Sequence, residues 1–220
     1  MAKRLGIGFI GGGFISRFHI QSLIGVRDVD VHGVYSKTKT SSEETAALAR
    51  VTGVGEAKAY DSITDMVANP DIDALWICSP NYTRMEVMEE IVYAVESGKG
   101  ELIGVTCEKP LGRNVAEAKR MVELAQRANL LDGYLENQVF APSVTRGKEI
   151  VWARGASTTG PPFLARAAEE HSGPHMPWFW EGELQGGGVL NDMMCHSVEE
   201  ARFMLTPPGE SREVLTPISV

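Results

Sequence analysis

A glycine-rich turn behind a short β-type run does most to restrict how this chain can fold. Leu5–Ile10 is apolar or glycine at every position and leads into Gly11-Gly12-Gly13-Phe14-Ile15-Ser16. A strand feeding a helix through such a turn aims helix amides at an anion. One glycine permits the tight turn, and a second lets the backbone approach a pyrophosphate. The letters G-x-G-x-x-G fit Gly6-Ile7-Gly8-Phe9-Ile10-Gly11 better, yet that register lies inside the strand. The later register is preferred: it departs only at Ser16, which is small enough for close helix–strand packing. Gly11, Gly13, Phe14 and Ile15 are therefore expected to border a dinucleotide.

From residue 3 to about 137, apolar β-branched runs alternate with amphipathic stretches. Strands are predicted at Leu5–Ile10, Val29–Tyr35, Ala74–Cys78, Leu102–Cys107 and Leu131–Glu136, with a weaker one at Ala57–Tyr60. Ala74-Leu75-Trp76-Ile77-Cys78 is apolar throughout, as befits a strand covered on both faces. Helix starts are marked by Ser41-x-x-Glu44, Ser62-x-x-Asp65, Thr83-x-x-Glu86 and Asn114-x-x-Glu117, each an oxygen-bearing cap three residues before an acid. Val115–Asn129 carries a one-sided apolar stripe. The alternation predicts an α/β protein with a parallel sheet wrapped by helices.

The rhythm changes after residue 137. Ser143–Arg154 reads as a helix, Phe163–His171 as a strand and Val189–Leu205 as a helix, joined by Gly-, Pro- and Trp-rich stretches. The expected division is a dinucleotide-binding domain over 1–137 and a partial substrate and catalytic domain over 138–220.

The end of the second strand bears on cofactor choice. An acid about 20 residues beyond the glycine turn would hold a ribose 2′-hydroxyl. Tyr35-Ser36-Lys37-Thr38 stands there instead. A hydroxyl and a lysine can accept a 2′-phosphate, so Ser36 and Lys37 tilt the choice between NADP and NAD toward NADP.

Glu108-Lys109-Pro110 follows the fifth strand of the main series, where the carboxyl ends of strands border the ligand crevice. Lys109 is thus aimed at the cofactor, and the proline after it restricts the backbone beneath. Farther on, Asp192 and His196 stand four apart in a predicted helix, which puts both on one face. A carboxylate there can hold an imidazole in one tautomer for proton transfer. Metal binding is disfavoured, since the helix offers two ligands and no third is at hand.

Composition narrows the class. Hydrophobic residues make up 43% and charged ones 23%, enough for a true core, while the net charge of −8 argues against a nucleic-acid-binding surface. No apolar run approaches the roughly 18 residues needed to span a bilayer, and no secretory-signal core follows Lys3 and Arg4. Cys78, Cys107 and Cys195 are odd in number and far apart, reading as thiols of a reducing compartment. A cytoplasmic protein that meets small molecules is expected.

The glycine turn, Ser79-Pro80-Asn81, Glu108-Lys109-Pro110 and Gly186-Gly-Gly-x-Leu-x-Asp192-x-x-x-His196 together resemble the Gfo/Idh/MocA oxidoreductases, the glucose–fructose oxidoreductase and inositol dehydrogenase group. The resemblance implies a Rossmann domain, doubly wound, followed by an α/β domain with a large open sheet. It implies NAD(P)-dependent oxidation of a hydroxyl, or reduction of a carbonyl, on a sugar, cyclitol or related polyol. It also implies Lys109, Asp192 and His196 as the catalytic group. Ser79, Asn81, Glu108 and Lys109 would line the cofactor site, with Asn137 and Gln138 beside the nicotinamide. The chain departs from the pattern at Arg84, where relatives often carry a histidine, at Met193-Met194-Cys195, and in a long link through Ser97–Val105. His19 reads as a packing residue.

The loop Glu169–Trp180 suits a carbohydrate. Indoles stack on a sugar's apolar face and imidazoles bond its hydroxyls, which nominates His175 and Trp180. Alternative readings are a non-catalytic dinucleotide-binding sensor or partner subunit, or an NAD-dependent glycosidase on the same scaffold. Relatives usually run well over 300 residues, so the resemblance implies a C-terminally truncated chain of 220. Its second domain would be incomplete, and homo-oligomers would form through the sheet once completed.

Overall fold

The structure is a computed structural model and describes residues 4–219. It divides into two compact units, residues 4–135 with 181–186, and residues 136–180 with 187–219.

The first unit follows the alternation in its sequence. Its elements are β1 (Leu5–Ile10), α1 (Phe14–Ser22), β2 (Val29–Tyr35), α2 (Lys39–Val51), β3 (Lys58–Tyr60), α3 (Ile63–Val67), β4 (Ala74–Ile77), α4 (Arg84–Glu96), β5 (Gly104–Glu108), α5 (Val115–Arg127) and β6 (Leu131–Leu135). The six strands form one parallel sheet in the order β3-β2-β1-β4-β5-β6. The order reverses between β1 and β4, so the loops leaving their carboxyl ends diverge and open a crevice.

Alternation within β1 feeds both faces of the sheet. Ile7 and Phe9 join Val31, Val34, Ile20, Ala46 and Ala49 in one buried cluster under α1 and α2. Ile10, Leu75 and Ile77 join Met66, Met88, Ile91 and Leu124 in another under α3, α4 and α5. This is the doubly wound α/β fold. The glycines inside β1 serve packing: a Cβ on Gly6 would fall 1.7 Å from the Asp71 carbonyl, and one on Gly8 2.5 Å from Met66 Cε.

Two of the expected caps form, each where a polar side chain meets a local amide. Ser62 accepts from the Asp65 N–H, and Asn114 from the Glu117 N–H, each at 3.0 Å. Two caps differ from expectation. α2 begins after Thr38, and Ser41 lies within its first turn, donating instead to the Gly12 carbonyl at 2.8 Å. Thr83 precedes α4, but its hydroxyl lies 2.8 Å from both Ser79 Oγ and the Pro80 carbonyl. In both cases a hydroxyl beside the crevice ties a loop down rather than capping a helix.

The second unit departs further from its pattern. The helix expected over Ser143–Arg154 is present as α6 (Pro142–Ile150), continued by one π-turn (Val151–Gly155) and α7 (Ala156–Thr159). The strand expected over Phe163–His171 is absent: that backbone finds no strand partner among the described residues, and a strand exists only when another backbone satisfies it. α8 (Gly182–Gln185) belongs to the first unit, where Asn81 Nδ2 donates to the Gln185 carbonyl at 2.9 Å. The helix expected over Val189–Leu205 is split into α9 (Gly188–Asp192) and α10 (Met194–Leu205) at Met193. Trp152 Nε1 donates to the Met204 carbonyl at 2.9 Å, fastening the α6 run to α10.

Candidate cofactor site and acid–base group

The glycine turn sits at the carboxyl end of β1. The Gly11 N–H donates to the Tyr35 carbonyl at 2.8 Å, tying the turn to the end of β2. Gly11 has φ of +112°, and a Cβ there would lie 2.7 Å from the Cys78 carbonyl, so only glycine fits. Ser16, fully buried, donates to the Gly11 carbonyl at 2.7 Å. The later register is therefore the turn that opens a helix.

Gly13 caps α1, with no side-chain hydrogen bond and no acid in the first turn. A Cβ on Gly13 would meet nothing within 4 Å. Amides at a helix start that are left to a ligand, with open space before them, fit a pyrophosphate. Phe14 is exposed beside them, whereas the Ile15 side chain packs toward the core and leaves its amide to the site. At the end of β2, Ser36 is half-buried and Lys37 exposed, and neighbouring Lys39 is engaged by Asp61 at 3.2 Å.

The carboxyl ends of β4 and β5 are knitted together by Arg84. Its buried guanidinium donates to the carbonyls of Ser79 at 3.0 Å and Glu108 at 2.7 Å, and to that of Pro110. Ser79 and Asn81 are themselves buried. A cation satisfied by backbone carbonyls holds two loops in register, a role that the sequence registered only as a departure from family pattern.

Glu108 is buried and makes two contacts. Its Oε1 lies 2.7 Å from His19 Nε2, and its Oε2 accepts the Lys109 N–H at 3.0 Å. His19 also packs edge-on to Trp76, with ring centroids 5.2 Å apart. It is thus more than the packing residue expected: it steadies the carboxylate that holds the backbone of half-buried Lys109. The signal was its position three residues after Ser16, on the same face of α1. Burial pushes the Cys107 thiol up to about 11 and raises that of Cys78, which leaves neither as a nucleophile.

In the second unit, His196 Nδ1 lies 2.6 Å from Glu136 Oε1, and both residues are about 5% exposed. Glu136 Oε1 also accepts the Gln138 N–H at 2.9 Å. The continuous helix that would have stacked Asp192 under His196 is broken between them. The carboxylate bonded to the imidazole comes instead from a loop 60 residues earlier. Asp192 is half-buried, and its carbonyl accepts from Cys195 Sγ at 3.2 Å. Glu136, Cys195 and His196 present ligand-type atoms within 4.8 Å of one another, so Glu136 and Cys195, two candidates beside the expected pair, stand near His196.

Asn137 is exposed, and Gln138 Nε2 donates to Glu169 at 2.7 Å. On the aromatic loop, Trp178 stacks on Phe179 at 3.7 Å, whereas His175 and Trp180 are exposed. Trp180 carries its ring edge over Gly173.

The parallel sheet, reversed at β1 and β4 and opened by this turn, defines a Rossmann domain of the dinucleotide-binding class. Residues 5–132 match the Gfo/Idh/MocA family, described as an oxidoreductase family with an NAD-binding Rossmann fold, and the chain belongs to it. It is 30% identical over 207 residues to a 1,5-anhydro-D-fructose reductase of Ensifer adhaerens, covering 93% of this chain and 58% of that protein. It is 27% identical over 200 residues to a myo-inositol 2-dehydrogenase of Thermotoga maritima, covering 90% and 54%. Among solved structures, GenD2 from gentamicin A biosynthesis, in complex with NAD, superimposes with a TM-score of 0.73 at 25% identity over 94% of this chain and 55% of that one. The chain spans a little over half the length of these relatives. No helix among the described residues is long and apolar enough to cross a membrane.

Proposed function

We propose that this chain carries the cofactor site and acid–base residues of an NAD(P)-dependent oxidoreductase acting on a hydroxyl or carbonyl of a sugar, cyclitol or related polyol. The observation that carries the reading is the open α1 start behind Gly11, at the point where the strand order reverses. The names of the anhydrofructose reductase and inositol dehydrogenase support the substrate class.

Residues 1–137 bind the dinucleotide, and residues 138–220 contribute acid–base and substrate groups. A bound nicotinamide supplies the two-electron hydride acceptor or donor. The α1 amides neutralise the pyrophosphate, and Ser36 with Lys37 favours a 2′-phosphate. Ser79, Asn81, Glu108, Asn137 and Gln138 border the rest of the cofactor. Lys109, its backbone fixed by Glu108, polarises the substrate oxygen and stabilises charge developing on it. As the C–H electron pair leaves with the hydride, His196 takes the hydroxyl proton, and it returns that proton in the reductive direction. Asp192 orients the substrate and its partners, while His175 and Trp180 supply a hydrogen bond and a stacking face.

Binding titrations with NAD and NADP, followed by a screen of sugars and inositols for the near-ultraviolet absorbance of reduced nicotinamide, test the reading. Sustained turnover on a polyol supports it; binding of neither dinucleotide overturns it. Lys37→Ala is expected to weaken NADP by roughly 5- to 10-fold, the scale of a single charge-assisted hydrogen bond, and NAD hardly at all. Equal loss for both would remove the 2′-phosphate argument.

A further inference from the structure

The second unit buries very little. Among its described residues only Glu136, Val139, His196 and Thr206 are withdrawn from solvent. Two of these four are ionisable and are bonded to each other. Burying a carboxylate and an imidazole is costly unless each satisfies the other, and a unit with one fully buried apolar side chain has little to offset that cost. A buried ionic pair in so sparse a setting points to chemistry rather than to stability.

We propose that Glu136 is the positioning residue of His196. Its Oε1 holds the Nδ1 edge of the imidazole and so leaves Nε2 as the nitrogen that exchanges a proton with substrate. This deepens the oxidoreductase reading and rests on it for the role of His196.

The polarity of the bond follows from the neighbours. Glu136 Oε1 already accepts the Gln138 N–H at 2.9 Å, which marks it as an acceptor oxygen of the carboxyl group. An oxygen in that role accepts from the imidazole as well, which assigns the proton to Nδ1 at 2.6 Å. Nε2 then bears the lone pair, the acceptor that a substrate proton needs. The proton from a substrate hydroxyl moves onto Nε2, forming an imidazolium that the adjacent carboxylate stabilises, while the carbon loses its hydride.

The same residues, with Cys195, could be read as a metal site. Two features favour the dyad. A 2.6 Å contact has a shared proton where an ion would have to sit, and the Cys195 thiol is engaged as a donor to the Asp192 carbonyl.

The test uses the full chain with its histidine ring nitrogens isotopically labelled, the His196 signals being assigned by their loss in His196→Asn. The wild type should show the Nδ1–H tautomer with a strongly downfield ring proton. Glu136→Gln, which keeps an acceptor, should preserve that tautomer. Glu136→Leu should remove the downfield proton and mix the two tautomers, with dinucleotide affinity unchanged in both variants. On a polyol that is turned over, kcat should fall about 100-fold in Glu136→Leu and less in Glu136→Gln, with KM little moved. A His196 tautomer indifferent to both substitutions would overturn the proposal, as would a stoichiometric zinc ion in the purified protein. Failure to oxidise any polyol removes the broader reading but leaves the tautomer measurement to decide this one.

Discussion

The two units use burial in opposite ways. In the first, apolar residues from every central strand fill both faces of the sheet, and polar side chains at the strand ends bond mostly to backbone groups, as Arg84, Ser16 and Asn81 do. In the second, Val139 is the one hydrophobic side chain fully buried among the described residues, while Phe163 is 94% and Leu190 66% exposed. The first unit is therefore a self-sufficient scaffold. The second is a set of helices and an extended segment arranged around one buried acid–base pair.

Amide hydrogen exchange probes that contrast most directly and should give the largest effect. Amides between the central strands, such as Cys78 N–H to the Ile10 carbonyl at 2.8 Å, open only with the whole sheet. Protection there should reach roughly ten-thousandfold or more for a domain of ordinary stability. Amides of 163–171, which lack a strand partner, should exchange within about tenfold of an unstructured chain. Equal protection in both would show that the second unit is as firmly built as the first. Lys109→Ala comes next. Removing a group that stabilises charge at the reacting oxygen should lower turnover by roughly 100- to 1,000-fold, with dinucleotide affinity retained. An unchanged rate would take the first unit out of the chemistry and leave it a binding platform.

The same contrast explains what could be read from the sequence. β1 and β2 were predicted to the residue, and the other strands to within two, because a central strand is written in its own apolar run and bounded by its own glycines. Ser62 and Asn114 were legible because a cap bonds an amide three residues away. Ser41 does not cap its helix because its hydroxyl serves the glycine turn, which lies 29 residues earlier. Phe163–His171 has the composition of a strand, yet composition cannot supply a neighbouring backbone. His196 was marked by its motif, but its partner Glu136 stands 60 residues away, on a loop that no periodicity describes. Arg84 and His19 failed to stand out for the same reason: their bonds reach across strands rather than along one.

Gly13→Ala separates fold from function within the turn. Gly13 has φ of −82° and open space at its Cβ position, so alanine should leave the melting temperature within a degree or two. The added methyl would stand where a pyrophosphate must approach, and dinucleotide affinity should fall about tenfold. Gly11→Ala, by contrast, should destabilise the unit outright, because its φ and the Cys78 carbonyl both oppose a side chain. If Gly13→Ala bound dinucleotide normally, the anion would have to sit elsewhere.

The smallest effect concerns how residues 181–186 join the first unit rather than the second. Arg113 Nη1 donates to the Glu183 carbonyl at 2.6 Å, and its guanidinium is set by Glu117, whose carboxylate accepts Nε at 2.9 Å and the Arg113 N–H at 2.9 Å. The Arg113 hydrogen bond is the main cause holding the Glu117 carboxyl below its ordinary value. A carboxylate whose folded pKa is depressed contributes stability above the unfolded pKa, near 4.3, and loses it as pH falls through the folded value. Glu117→Gln should therefore cost about 1 kcal/mol or less at neutral pH, the pair being partly solvent-screened. The gap between wild type and variant should narrow as the pH drops below the unfolded value and close once it is below the lowered folded one. Exchange at 181–186 should quicken in the variant while that of β1 does not. A gap that persisted in acid would mean that the carboxylate acts through packing, and that this segment is held to the sheet chiefly by the Asn81 bond to Gln185.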